Sequence, residues 1–194
     1  MTIRTVRCGL LALAIVTAAL AAGCSGKEVR YGDPKSVETV NMQFGSTDLQ
    51  VIAEAMTRSM LQAPVVANGS RPIVTVQDVK NKTSEYIDTR AITDSIRAEL
   101  VKSGRVRFAV DEAAMEQQIS ELERQQSEYY DEAQAAEIGR MVGAAYRLEG
   151  SIISIVKQNP DVKDVYYKFN LQLWNVQNGL LEWSDEKDIR KTES

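Results

Sequence analysis

From Tyr146 onward the chain reads as a run of β-strands, and that block limits the fold more than any other stretch. The pattern predicts strands from Tyr146 to about Val156, from Val165 to Val176 and from Leu180 to about Ile189. Val165, Tyr167, Phe169, Leu171 and Leu173 recur at every second position, which lays them on one face of a strand. An apolar sheet face has to be covered by a second layer. Gln177-Asn178-Gly179 allows two hairpin registers. A two-residue Asn-Gly turn sets Trp174 opposite Trp183, and a three-residue turn with Gly179 as the bulge sets Leu173 opposite Trp183. The second is preferred, because it joins Trp183 to the apolar face, and a one-residue slip would turn the whole hydrophobic set to the other side.

The covering layer comes from upstream. Ser46, Thr47 or Asp48 can cap a helix in which Leu49, Ile52, Ala53, Met56 and Met60 recur at helical spacing, ending before Pro64. Asn68-Gly69-Ser70 turns the chain into a β-branched stretch from Pro72 to Val79, expected as a strand with its proline at the start. Asn81-Lys82-Thr83-Ser84 then reads as a polar loop. It lies where α/β proteins present groups to ligands, but the preferred reading is a solvated connection in which Asn81 and Thr83 bond the local backbone. Thr89 can cap the next helix, with Ile92, Ile96 and Leu100 inward and Gly104 as a C-cap, and Arg105 to Val110 alternates as a further strand.

Asp111 to about Gln126 reads as a helix with Met115, Ile119 and Leu122 on one stripe. Nine acidic residues lie between Asp111 and Glu137 against Arg124 alone, while Lys80 to Arg107 carries seven basic against four acidic. Such a contrast can steer a charged partner, and it also fits solvated helix faces. Ala135 to Gly143 is expected as a helix end running directly into the strand at Tyr146. Helical glycines cost about 1 kcal/mol each relative to alanine, so Gly139 and Gly143 imply a close approach of helix to sheet rather than a phosphate loop.

The amino terminus carries an export signal: Arg4 and Arg7, an apolar run from Leu10 to Leu20, and small residues at a cut site. Leu20-Ala21-Ala22-Gly23-Cys24 resembles the lipobox of bacterial lipoproteins, which implies cleavage after Gly23, a diacylglycerol on the Cys24 sulfur and an acylated amine. Ser25, in place of the Asp that marks inner-membrane retention in that class, points to the outer membrane. The domains expected are a signal at 1–23, a tether at 24–37 and one globular domain at 38–194. The tether is polar, with Gly26, Gly32 and Pro34, and a dozen extended residues reach on the order of 40 Å.

Loss of the signal removes Arg4 and Arg7 from 23 basic residues, leaving 21 against 27 acidic, a balance of −6. That argues against a nucleic-acid partner. Cys8 departs with the signal and Cys24 takes lipid, so neither disulfide nor free thiol is expected. With no histidine in the chain, a Ser-His-Asp triad, a Cys-His pair and the common zinc sites are all excluded. Ser184-Asp185-Glu186-Lys187 has the serine-x-x-lysine spacing of penicillin-recognising acyl enzymes without their companion motifs, and is expected near a frayed C-terminus. No enzyme activity, cofactor or metal is expected.

With these elements placed, the stretch from about Asp48 to Lys187 resembles the outer-membrane lipoproteins of the LpoB type, which activate penicillin-binding proteins. The resemblance rests on the lipobox, Val79-Lys80-Asn81-Lys82-Thr83, Lys102-Ser103-Gly104-Arg105-Val106, Ile138-Gly139 through Gly143-Ala144-Ala145-Tyr146, and Gly179-Leu180-Leu181-Glu182-Trp183-Ser184. It implies an α/β fold of α+β sandwich type. A mixed or antiparallel sheet would carry helices packed on it, similar to the N-terminal domain of the Tol-system translocation protein. It also implies a periplasm-facing, lipid-anchored monomer that binds and activates a bifunctional class A penicillin-binding protein, with Asn81, Lys82, Thr83 and Tyr86 as the partner surface. Curli-secretion lipoproteins share parts of the pattern, which keeps an accessory role in an envelope secretion or transport complex as the alternative. The tether departs from the family, whose well-known members have long Pro-rich linkers, whereas this one has a single proline.

Overall fold

The computed structural model describes residues 30–38, 40–127, 129 and 141–194. The chain divides into two units, 1–36 and 37–194. In the first, Asp33 holds a turn, its carboxylate accepting from the Lys35 N–H (2.9 Å) and its carbonyl from the Ser36 N–H (3.0 Å). The stretch expected as an export signal, with Cys24, lies outside the described residues.

The second unit runs α1 (Ser46–Gln62), α2 (Pro64–Ala67), β1 (Ile73–Val76), β2 (Lys80–Lys82), α3 (Thr89–Lys102), β3 (Arg107–Phe108), α4 (Glu112–Gln125), β4 (Tyr146–Gln158), β5 (Lys163–Asn175) and β6 (Leu181–Glu193). These build an α+β fold on a six-stranded mixed sheet of order β3-β1-β4-β5-β6, with β2 joined to the far part of β4. β1 runs parallel to β3 and β4, β2 runs parallel to β4, and β4, β5 and β6 are antiparallel.

The alternation expected in β5 sets the core. Tyr167, Phe169, Leu171 and Leu173 are fully buried with Leu148 and Ile152 of β4, against Ile52, Met56 and Met60 of α1 and Ile92, Ile96 and Leu100 of α3. Each such side chain contributes roughly 1.5–3 kcal/mol on leaving water. Leu173 stands opposite Trp183, the preferred register, and Trp183 packs on the core while its Nε1 donates to Ser59 Oγ of α1 (3.2 Å).

The route to that register differs from the expectation. Asn175 and Leu180 close a four-residue loop, with the Gly179 N–H donating to the Asn175 carbonyl (2.9 Å) at φ +72°. The extra residue is absorbed in β6 instead, where Trp174 pairs with Leu181 and Leu173 with Trp183. β6 also continues to Glu193, so Ser184-Asp185-Glu186-Lys187 lies inside a long strand and not at a frayed end.

Other boundaries shift for identifiable reasons. Gly45 is the N-cap of α1, and Asp48, at the third helical position, accepts from the Gly45 N–H (2.9 Å). Asp88 rather than Thr89 caps α3, accepting from the Ala91 N–H (3.1 Å), while the Thr89 hydroxyl donates to the Val79 carbonyl (2.8 Å). β1 ends at Val76 because the chain turns there to bury Val79, and β3 keeps only two of the six residues expected. In α4, capped by Asp111, Leu122 is buried but Ile119 is exposed, so the predicted stripe turns inward only in part. The helix expected over Ala135 to Gly143 falls mostly outside the described residues; Met141 to Ala144 are irregular, and a Cβ on Gly143 would meet open space, not a sheet.

Candidate functional site

The stretch expected as a polar loop is partly a strand. Lys80, Asn81 and Lys82 pair with Ser151, Ile152 and Ile153, hydrogen-bonded along β4 even though all three side chains are exposed. Paired residues share a face, so Asn81 lies on the side of buried Ile152, and Lys80 and Lys82 lie on the opposite, open face of the sheet. On that face Ile153 stands beside Lys168, and half-exposed Ile155 beside Tyr166.

The four sequence-predicted residues then separate into two pairs. Asn81 and Thr83 fasten the turn that follows β2. Asn81 Nδ2 donates to the Glu85 carbonyl (2.9 Å), and Asn81 Oδ1 accepts from the Thr83 N–H (2.9 Å) and lies 2.8 Å from Thr83 Oγ1. This is the local Asx bonding open to these residue types. Lys82 and Tyr86 are exposed, Tyr86 at 92%, and take no part in this turn bonding.

Behind the turn lies a half-buried polar cluster that sequence reasoning missed. The Glu85 carboxylate accepts from the Phe44 N–H (3.1 Å) and from the Tyr167 hydroxyl. Tyr167 Oη also lies 3.0 Å from the Met42 carbonyl, and the Phe44 and Tyr167 rings meet edge to face with centroids 5.7 Å apart. Burial, and then the Glu85 carboxylate, push the Tyr167 phenol well above its ordinary pKa. Lys191 Nζ donates to the Gln43 carbonyl (2.6 Å). The segment from Met42 to Gly45 is therefore seated on the far end of the sheet by groups 41 to 148 residues away in sequence.

Further concavities lie on the body among the described residues. A polar cleft of about 630 Å³ is lined by Gln77, Asp78, Thr89, Arg90, Arg97 and Asp111, and Asp111 occupies its arginines, 3.2 Å from Arg97 and 3.8 Å from Arg90. A more apolar groove of about 540 Å³ lies between Ile73, Phe108 and Met115. Among the described residues, no cluster of three acids, histidines or cysteines could hold a metal, and no helix is long and apolar enough to cross a membrane. Ser184 and Lys187 are three residues apart on a strand, so they face opposite sides of the sheet and cannot act as a pair.

The chain matches the family model for the peptidoglycan-synthase activator LpoB over residues 48–189. Among solved structures it is similar to the LpoB C-terminal domain from Salmonella enterica, with 24% identity, 73% of this chain and 98% of that one covered, and a TM-score of 0.45. It is similar to the corresponding Escherichia coli domain at 21% identity over the same shares, TM-score 0.45. For lipoprotein GNA1162 from Neisseria meningitidis the values are 14% identity, 62% and 83% covered, and a TM-score of 0.41. A search of curated proteins returns no match.

Proposed function

We propose that this chain, which belongs to the LpoB family of peptidoglycan-synthase activators, is a lipoprotein anchored through Cys24 to the periplasmic side of the outer membrane. There it binds a bifunctional class A penicillin-binding protein and raises its activity. The observation that carries this reading is the family match, which spans nearly the whole second unit. An activator of this kind needs no catalytic group of its own. It needs a surface that prefers the active conformation of the synthase, because a ligand shifts an equilibrium only by its differential affinity for the two states.

The surface proposed is the exposed Lys82 and Tyr86, carried on the turn that Asn81 and Thr83 fasten. Tyrosine is enriched among the residues that carry most of the energy in protein interfaces, and an exposed charge such as Lys82 can steer the encounter with a partner. The domains follow as a signal at 1–23, a tether at 24–37 and an activator domain beyond, acting as a monomer close to its membrane.

The reading is tested by cross-linking the protein in its native cells, purifying it under denaturing conditions and identifying what comes along by mass spectrometry. Recovery of a class A synthase is the expected result. Recovery only of itself and outer-membrane transport proteins would overturn it in favour of the assembly role.

A further inference from the structure

Glu85 is held at both ends by different parts of the chain. Its main-chain carbonyl accepts from Asn81 Nδ2 (2.9 Å) and lies 2.9 Å from Thr83 Oγ1, so it is the backbone anchor of the turn carrying Lys82 and Tyr86. Its carboxylate accepts from the Phe44 N–H (3.1 Å) and from the Tyr167 hydroxyl, fixing the segment through which the chain enters its second unit. On the segment side the contacts continue beyond Glu85: Tyr167 reaches Met42, and Phe44 packs edge to face on Tyr167. Hydrogen bonds to a charged acceptor are about twice as strong as neutral ones, and a half-buried carboxylate stripped of its donors is costly.

From this geometry we infer that Glu85 is a positioning residue: it couples the seating of Met42–Phe44 to the conformation of the 81–86 turn, so that Lys82 and Tyr86 are presented to the partner while that segment is docked. The inference rests on the reading of Lys82 and Tyr86 as the partner surface, but the coupling itself is measurable without any partner. Met42–Phe44 lies in the first stretch of the domain after the proposed tether, and through Glu85 its displacement would loosen the partner surface.

The experiment is amide hydrogen exchange on the full chain, together with binding of the synthase, for wild type, Glu85→Ala, Glu85→Gln and Tyr167→Phe. Glu85→Ala is expected to speed exchange at residues 42–45 and at 81–86 together by about tenfold or more, and to weaken binding by about tenfold, while the β5 core amides stay protected. Glu85→Gln is expected to recover most of both. Its amide oxygen still accepts from Phe44, and its NH2 can donate to Tyr167 Oη, which then turns its proton to the Met42 carbonyl. Tyr167→Phe removes one bond while keeping the ring contact, and is expected to move both segments in the same direction should Glu85→Ala fail to fold. Faster exchange at 42–45 with 81–86 unchanged would overturn the coupling, as would a Glu85→Gln variant no better than Glu85→Ala. Coupled exchange in a protein that binds no synthase would sustain the coupling and sink the proposed partner.

Discussion

Lys191 Nζ lies 2.5 Å from Asp48 Oδ2, with only 11% and 9% of the two side chains exposed, and this ion pair fastens the last strand to the first turn of the first helix. Asp48 also caps Gly45, and Lys191 also reaches the Gln43 carbonyl, so each partner has further bonds to satisfy it. Breaking a buried pair costs up to about 3–5 kcal/mol when the remaining charge is left alone, and less where, as here, Asp48 keeps the Gly45 N–H. Lys191→Ala is therefore expected to lower the unfolding free energy by about 1.5–3 kcal/mol in urea titration. Lys102→Ala, which removes an exposed pair with Glu99, is expected to cost less than about 1 kcal/mol.

Two glycines that look alike in sequence are expected to respond oppositely. A Cβ on Gly150 would stand 2.1 Å from the Asn170 carbonyl oxygen of the neighbouring strand, a backbone atom that cannot step aside. At Gly143 the same atom would meet open space. Thermal unfolding should show Gly150→Ala losing about 2 kcal/mol or more, in the range of overpacking changes, and Gly143→Ala within about 0.5 kcal/mol of wild type.

Tyr167 predicts the direction of an alkaline effect. Its phenol keeps its proton more firmly in the folded chain, through burial and the Glu85 carboxylate, than in the unfolded chain, where tyrosine titrates near pH 10. The contribution is fully present below that value. As pH rises beyond it, the unfolded chain gives up a proton that the folded chain retains, so stability falls by no more than about 1.4 kcal/mol per pH unit from this group. Unfolding free energies measured from pH 9 to 11 should fall more steeply for wild type than for Tyr167→Phe.

How much of this was readable depended on where each signal came from. The alternation from Val165 to Leu173 is a local record of burial, and it set the sheet, the core face and the opposition of Leu173 and Trp183. β2 was hidden because Lys80, Asn81 and Lys82 are exposed throughout, so no apolar period marks a segment that is a strand only by pairing with β4. The end of β6 was hidden likewise: beyond Ile189 its residues are charged or polar, and the strand is held by pairs such as Thr192 with Asp164. Glu85 could not be recognised because its partners Phe44 and Tyr167 lie 41 and 82 residues away. Asn81 and Thr83 were visible, and the turn bonds they make are those their residue types allow.

Exposed side chains without structural partners can be changed at little cost to the fold. Lys82→Glu and Tyr86→Ala are each expected to leave stability within about 0.5 kcal/mol of wild type and to weaken synthase binding at least several-fold, with the charge reversal also acting on the association rate. Titration of each variant against an immobilised class A synthase, alongside urea unfolding, separates the two effects.

The most direct measurement of the central claim is glycan-strand polymerisation by the purified class A synthase of the same cells, with and without this protein. Stimulation by wild type, lost in the Lys82→Glu, Tyr86→Ala double variant that still folds, is the predicted result. A synthase that runs at the same rate whether or not the protein is present would contradict it.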